Sequence, residues 1–253
     1  MAIGDIQDEG SFREWLEETN QPQQICVALA HRAGMRVLPL FWSYAAKNRP
    51  SMALPILRAQ LVAGIAGGAP AALLIREGLA SALRDAAWAA RAARDAVAAG
   101  DAAWAAWDAA RAAGNAAWAA AWAATWDAAR VASSADWAAW DAAWDAARAA
   151  LRSDCAAVER GETLAALPLF PDVLPDWFTK AADEMHAGPE WRFWLKWYAD
   201  ARQGRQQNWP LLFEIATQPE EFWQGADPDG ESQDHVVNRR IAVLAARHEA
   251  ADC

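Results

Sequence analysis

Four kinds of residue in this chain have types and spacings that bear on chemistry. Asp227, Asp229 and Gly230 form D-x-D-G, half of a calcium-binding loop. A complete loop begins on an oxygen ligand, carries glycine at its sixth position and ends on a bidentate acid at its twelfth. With Gly230 sixth, the two ends fall on Gly225 and Val236; with Asp227 first, the twelfth is Asn238. Neither register supplies the acid, so the segment reads as a turn. His31, His186, His235 and His248 are dispersed and share no metal-ligand spacing. His31 lies in an apolar stretch and reads as an interior histidine. Cys26, Cys155 and Cys253 have no partner motif for nucleophilic work. Their odd number and small count fit a reducing compartment better than a disulfide scaffold. The fourth kind is W-D-A-A-R, at 107–111, 126–130 and 144–148. It sets Asp108/Arg111, Asp127/Arg130 and Asp145/Arg148 three residues apart, the spacing of solubilising ion pairs on a helix surface. No phosphate-binding loop or nucleophile elbow is present, and the glycines at 64, 67 and 68 lack the preceding strand of a dinucleotide fingerprint. The expectation is no catalytic residue, no metal and no cofactor, with the chain leaning away from an enzyme.

The elements that position these residues read as helices throughout. Of 253 residues 55% are hydrophobic, but alanine inflates that share, and the 17 tryptophans stand against only 2 tyrosines. Four segments beginning at Asp85, Asp101, Asn115 and Ser134 follow one template, a capping-type residue, two variable positions and then W-A-A-x-x-A-A, the first fitting least well. Alanine has the highest helix propensity and proline is absent from 71–167. Gly100 before Asp101, and Gly114 before Asn115, place a C-terminal glycine against an N-cap residue. Helices are therefore expected at roughly 72–99, 102–113, 116–132 and 135–152. Trp118, Trp122 and Trp126, and then Trp137, Trp140 and Trp144, form stripes of core knobs between alanine holes. Upstream, Ser11 reads as the cap of a short helix through Leu16. A second helix covers about 25–46, kinked or restarted at Pro39, and a third runs from Ser51 through Ala66. Downstream, LPLFPDVLPDW at 167–177 reads as a connector. Asp176 caps a helix through Met185, Pro189 opens the next, and further helices lie near 209–217 and 234–248. The fold class is all-α, an irregular array of short antiparallel Ala/Trp-rich helices with a C-terminal helical module. The expected division is 1–153 and 154–253.

Charge is unevenly placed within the total of −10. Residues 1–20 carry −5, 21–80 carry +5, 81–153 carry −1 and 154–253 carry −9. Net acidity disfavours nucleic acid and anionic lipid as partners. The six bases of 21–80 read as a solvated helix face. The acidic start MAIGDIQDEG is unlike a signal peptide, and the uncharged run from Ala59 to Ile75 is short for a bilayer and broken by Gly67-Gly68-Ala69-Pro70. A cytoplasmic location with no membrane partner is expected.

ALAHRAGMRVLPLF at 28–41, Arg49-Pro50 followed by ALPILRAQLVAG, and GDAAWAAWDAARAAGNAAWAAAWAA at 100–124 carry a resemblance. Over about 26–150 the chain resembles the helical immunity-protein family of bacterial polymorphic toxin systems, in which a helix ending V-L-P-L-F leads to an R-P turn and a later run of alanine helices. Lys47 and Asn48 stand where that family has acids before R-P, and Asn115 where it has histidine. Residues beyond 154 lie outside the resemblance, which implies an all-α, non-enzymatic protein with a toxin as partner but assigns no contact residues here.

Three functions follow as expectations. The first is an immunity- or defence-type protein that occludes a partner such as a basic toxin, steered by the acidic C-terminal half. The second is a helical scaffold that self-assembles, as a homo-oligomer, through its tryptophan-rich helices. The third is an enzyme or small-molecule sensor with a pocket between the two helical regions, recognisable by converging Asp, Arg and His side chains. The residues singled out for partner binding are Trp191, Trp194, Trp197 and Tyr198, with Glu220, Glu221, Asp227, Asp229, Glu231 and Asp234. Burial between the two halves of the chain is the plainer reading of the four aromatics.

Overall fold

The computed structural model describes residues 2–7, 9–48, 53–70, 137–171, 174, 179, 182, 189–223 and 232–251. The first three helices expected in the alanine-rich stretch, the ion pairs Asp108/Arg111 and Asp127/Arg130, most of the helix expected from Asp176, and Asp227, Asp229 and Glu231 lie outside these residues. Within them the chain is all-α, with no strand. The helices are α1 (Glu9–Glu18), α2 (Gln23–Asn48), α3 (Ala53–Gly68), α4 (Trp137–Glu159), α5 (Arg192–Arg202), α6 (Trp209–Ala216), α7 (Glu220–Trp223) and α8 (Gln233–Ala251). Short 3-10 turns occupy Ile3–Asp5, Leu164–Ala166 and Pro189–Trp191.

Local chemistry sets several of the ends. Ser11 does not cap α1 but lies inside its first turn, where its Oγ accepts the Gln7 N–H at 2.9 Å. It satisfies a backbone donor from within the helix rather than from its cap. The α2 helix continues through Pro39 instead of restarting there. Proline removes one backbone donor and crowds the preceding turn, so continuity at this point rests on the packing around α2. The α4 helix runs past 152 to Glu159 and ends on Gly161, whose φ of +74° is open to glycine at little cost. Its N–H bonds to the Val158 carbonyl and that of Glu162 to the Ala157 carbonyl, both at 2.9 Å, which closes a Schellman cap. Asn208 caps α6 by accepting the Leu211 N–H at 3.1 Å, with Pro210 in the first turn.

Helices α2 and α3 form the most extensive pair. Three close approaches show that they run antiparallel: Gly34 against Gln60, Gly64 against His31, and Gly67 against Ala28. A methyl at Gly67 would lie 2.6 Å from the Ala28 backbone, so only hydrogen fits there. The α6 helix packs on α3, α4 on α2, and α8 on α5, α6 and α7. One apolar cluster joins Met35, Leu57 and Ile65 to Trp194, Leu212, Ile215 and Ile241; a second joins Phe12, Trp15 and Leu29 to Leu151 and Cys155. Both clusters draw on chain from either side of residue 153, and α4 passes through that point without a break.

Candidate functional site

Of the six bases in 21–80, the three whose side chains are described do not lie on a solvated face, which corrects the reading from charge for those three. Arg32, Arg36 and Arg58 are 5%, 0% and 2% exposed. Arg32 and Arg36 stand one helical turn apart on α2 and so project from the same face. They converge on Asp154 of α4, which is 3% exposed. Arg32 meets the carboxylate in a two-pronged contact, Nε to Oδ2 and Nη2 to Oδ1, both at 2.9 Å. Its Nη1 donates to the carbonyls of Leu164 and Leu167 at 2.9 and 2.8 Å, and Nη2 to that of Pro168 at 2.6 Å. Arg36 donates from Nη2 to Asp154 Oδ2 at 2.6 Å and from Nε to the Leu169 carbonyl at 2.7 Å. Its Nη1 is buried without a hydrogen-bond partner.

This arrangement can do structural work. Burying an ion costs several kcal/mol unless its hydrogen bonds are replaced, and here four carbonyls of 164–169 replace much of the water. The network pins the segment after α4 to α2. Two guanidiniums against one carboxylate leave a unit of positive charge uncompensated within it. Burial lowers the Arg36 pKa while Asp154 pulls it back up.

His31 lies beside this network and lines a cavity of about 50 Å³ between α2, α3, α5, α6 and the 164–169 segment. Its Nδ1 is buried without a partner, and its Cε1–Nε2 edge rests over Gly64. Burial, assisted by the neighbouring Arg32 charge, pushes its pKa down to about 4, with hydrogen bonding to Gln60 opposing. The imidazole is therefore neutral at ordinary pH. Arg58 forms a separate cluster, paired with Glu220 at 2.8 Å and lying over the Trp223 ring at 4.7 Å.

The residues singled out for partner binding are divided by the structure. Trp194, Trp197 and Tyr198 are core residues, 1%, 5% and 4% exposed. Trp194 donates its indole N–H to Asn238 Oδ1 at 2.8 Å, and Trp197 packs near His31. Packing accounts for these rings and leaves them little free surface. Trp191 is half-buried, edge-on to Trp42 at 4.9 Å. Glu220 is engaged by Arg58, while Glu221 is exposed and lends its carbonyl to Arg240 at 3.0 Å. Asp234, half-buried at the start of α8, has its pKa raised to about 6 by desolvation. Cys155 is buried, and desolvation pushes its thiol up to about 12, an environment opposed to thiolate chemistry. Among the described residues no group of three or more His, Cys, Asp or Glu could hold a metal, and no helix is long and apolar enough to cross a membrane.

The buried arginines carried a sequence signal that charge counting hid. In ALAHRAGMRVLPL, Arg32 and Arg36 share one face but are flanked by apolar residues on both sides, so the polar stripe is only two residues long. Asp154 had no such mark, because it lies more than a hundred residues away in sequence. Compared with known proteins, the chain matches no family model, no curated protein sequence and no solved structure.

Proposed function

We propose that this chain is a non-enzymatic protein-binding protein of the immunity or defence type, acting in the cytoplasm by occluding a basic partner such as a toxin. The observation that carries this reading is the inward placement of positive charge. Three arginines and one aspartate belong to the described interior, so the rest of the chain bears −12 rather than −10. An exterior of one dominant sign steers oppositely charged partners and raises their association rate. The resemblance of residues 26–150 to helical immunity proteins supports the same reading.

The test is co-expression with the products of the genes adjacent to it in the native genome, basic ones first. The expected result is a stoichiometric complex that forms at low salt, loosens as salt rises and suppresses the partner's activity. A set of neighbours of which none is bound or inhibited would remove the proposal's support. A second reading, a small-molecule sensor, is favoured by the cavity beside His31, which lies between the N-terminal helices and the C-terminal module.

A further inference from the structure

We propose that the cavity beside His31 is a binding site for a small organic monoanion, a carboxylate bearing a compact apolar group. This goes beyond the protein-binding reading and does not depend on it. Four observations converge on that ligand class. The first is charge: Arg32 lines the cavity, and the Arg32–Arg36–Asp154 network behind it retains one uncompensated positive charge. All five Arg32 N–H groups are already spent on Asp154 and on the carbonyls of Leu164, Leu167 and Pro168. Arg32 thus supplies a field rather than a hydrogen bond.

The second is a donor. His31 stands on the cavity wall with Nδ1 unpartnered and its hydrogen bond to Gln60 on the other ring nitrogen, so donating to a ligand from Nδ1 requires either giving up that bond or taking up a second proton beside the anion. The half-buried Gln207 lines the same cavity, with one of its amide N–H groups already donated to the Arg205 carbonyl at 3.1 Å. The third is the remaining wall, in which Leu61, Ile65 and Leu212 offer an apolar surface to a short branched chain. The fourth is size. About 50 Å³ is room for roughly three to five waters, which matches a ligand of only a few heavy atoms. Two glycines let rings of the wall pack closely: a methyl on Gly64 would meet the His31 ring at 2.9 Å, and one on Gly68 would meet the Trp209 ring at 2.8 Å.

The experiment titrates the full chain by calorimetry with isobutyrate and with its uncharged isostere isobutyramide, while NMR follows the His31 ring. Isobutyrate is expected to bind one-to-one, at least about tenfold more tightly than isobutyramide because only it meets the buried positive field. Binding is expected to move the His31 titration upward from about 4. Ala165→Leu, which fills the cavity from a half-buried turn position, is expected to abolish binding while retaining native helicity. Failure of isobutyrate to bind the wild-type chain would overturn the proposal. So would equal binding of the amide, an unmoved His31 titration, or undiminished binding by the filled variant.

Discussion

Removing the Asp154 carboxylate would leave two guanidiniums in the core with carbonyl partners but no counter-charge. Asp154→Asn is expected to lower the unfolding free energy by about 3–5 kcal/mol, read from urea denaturation. Asp145→Ala breaks the exposed pair with Arg148 on the same helix and is expected to cost no more than about 0.5 kcal/mol. Equal losses would show that the buried network carries no special weight. Two other residues give pH effects of opposite sign. His31 titrates near 4 when folded against an ordinary 6.5, so the unfolded chain takes up its proton first. Its contribution to stability is lost as pH falls from 6.5 towards 4, and His31→Gln should flatten that limb. Asp234 titrates near 6 against an ordinary 3.8, so its ionised form is a burden above that window. Asp234→Asn should raise the melting temperature at neutral pH, with the gain gone below 3.8. Cys155 should resist thiol reagents in the native protein and react only once denaturant exposes it. At this scale the sequence was partly legible: the apolar neighbours of His31 marked it as interior. The partners of Arg32 and Arg36 were invisible, because ion pairing across more than a hundred residues leaves no local pattern.

Helix pairing depends on where side chains are missing. Gly67→Ala improves intrinsic helix propensity but places a methyl 2.6 Å from the Ala28 backbone. It is expected to destabilise the protein by about 1–3 kcal/mol through overpacking, whereas Gly4→Ala, with nothing within 4 Å, should be near neutral. Similar thermal shifts for both would contradict the close α2–α3 approach. The α2, α6 and α8 helices were legible because their apolar runs are bounded by recognisable capping and turn residues. The ends of α1 and α4 were not. Ser11 satisfies Gln7 from inside its helix, and α4 stops at the Gly161 cap rather than where alanine thins out. Of the two effects expected at Pro39, a kink or a restart, the helix does not restart there.

Across the whole molecule, composition was enough for an all-α fold but not for how the chain is shared out. The core mixes residues from before and after 153, because Arg32 and Arg36 of α2 hold Asp154 and the 164–169 segment in the same interior. That sharing also draws three arginines and one aspartate into the described interior, so the chain apart from them carries −12 rather than −10. The claim that the chain holds a basic protein partner is tested most directly by light scattering. The purified chain would be measured alone and mixed with each basic protein encoded by a neighbouring gene, at about 50 and about 500 mM salt. The account predicts a monomer alone, and a one-to-one complex at low salt that separates at high salt. Self-association of the chain alone, or no complex at either salt, would contradict it.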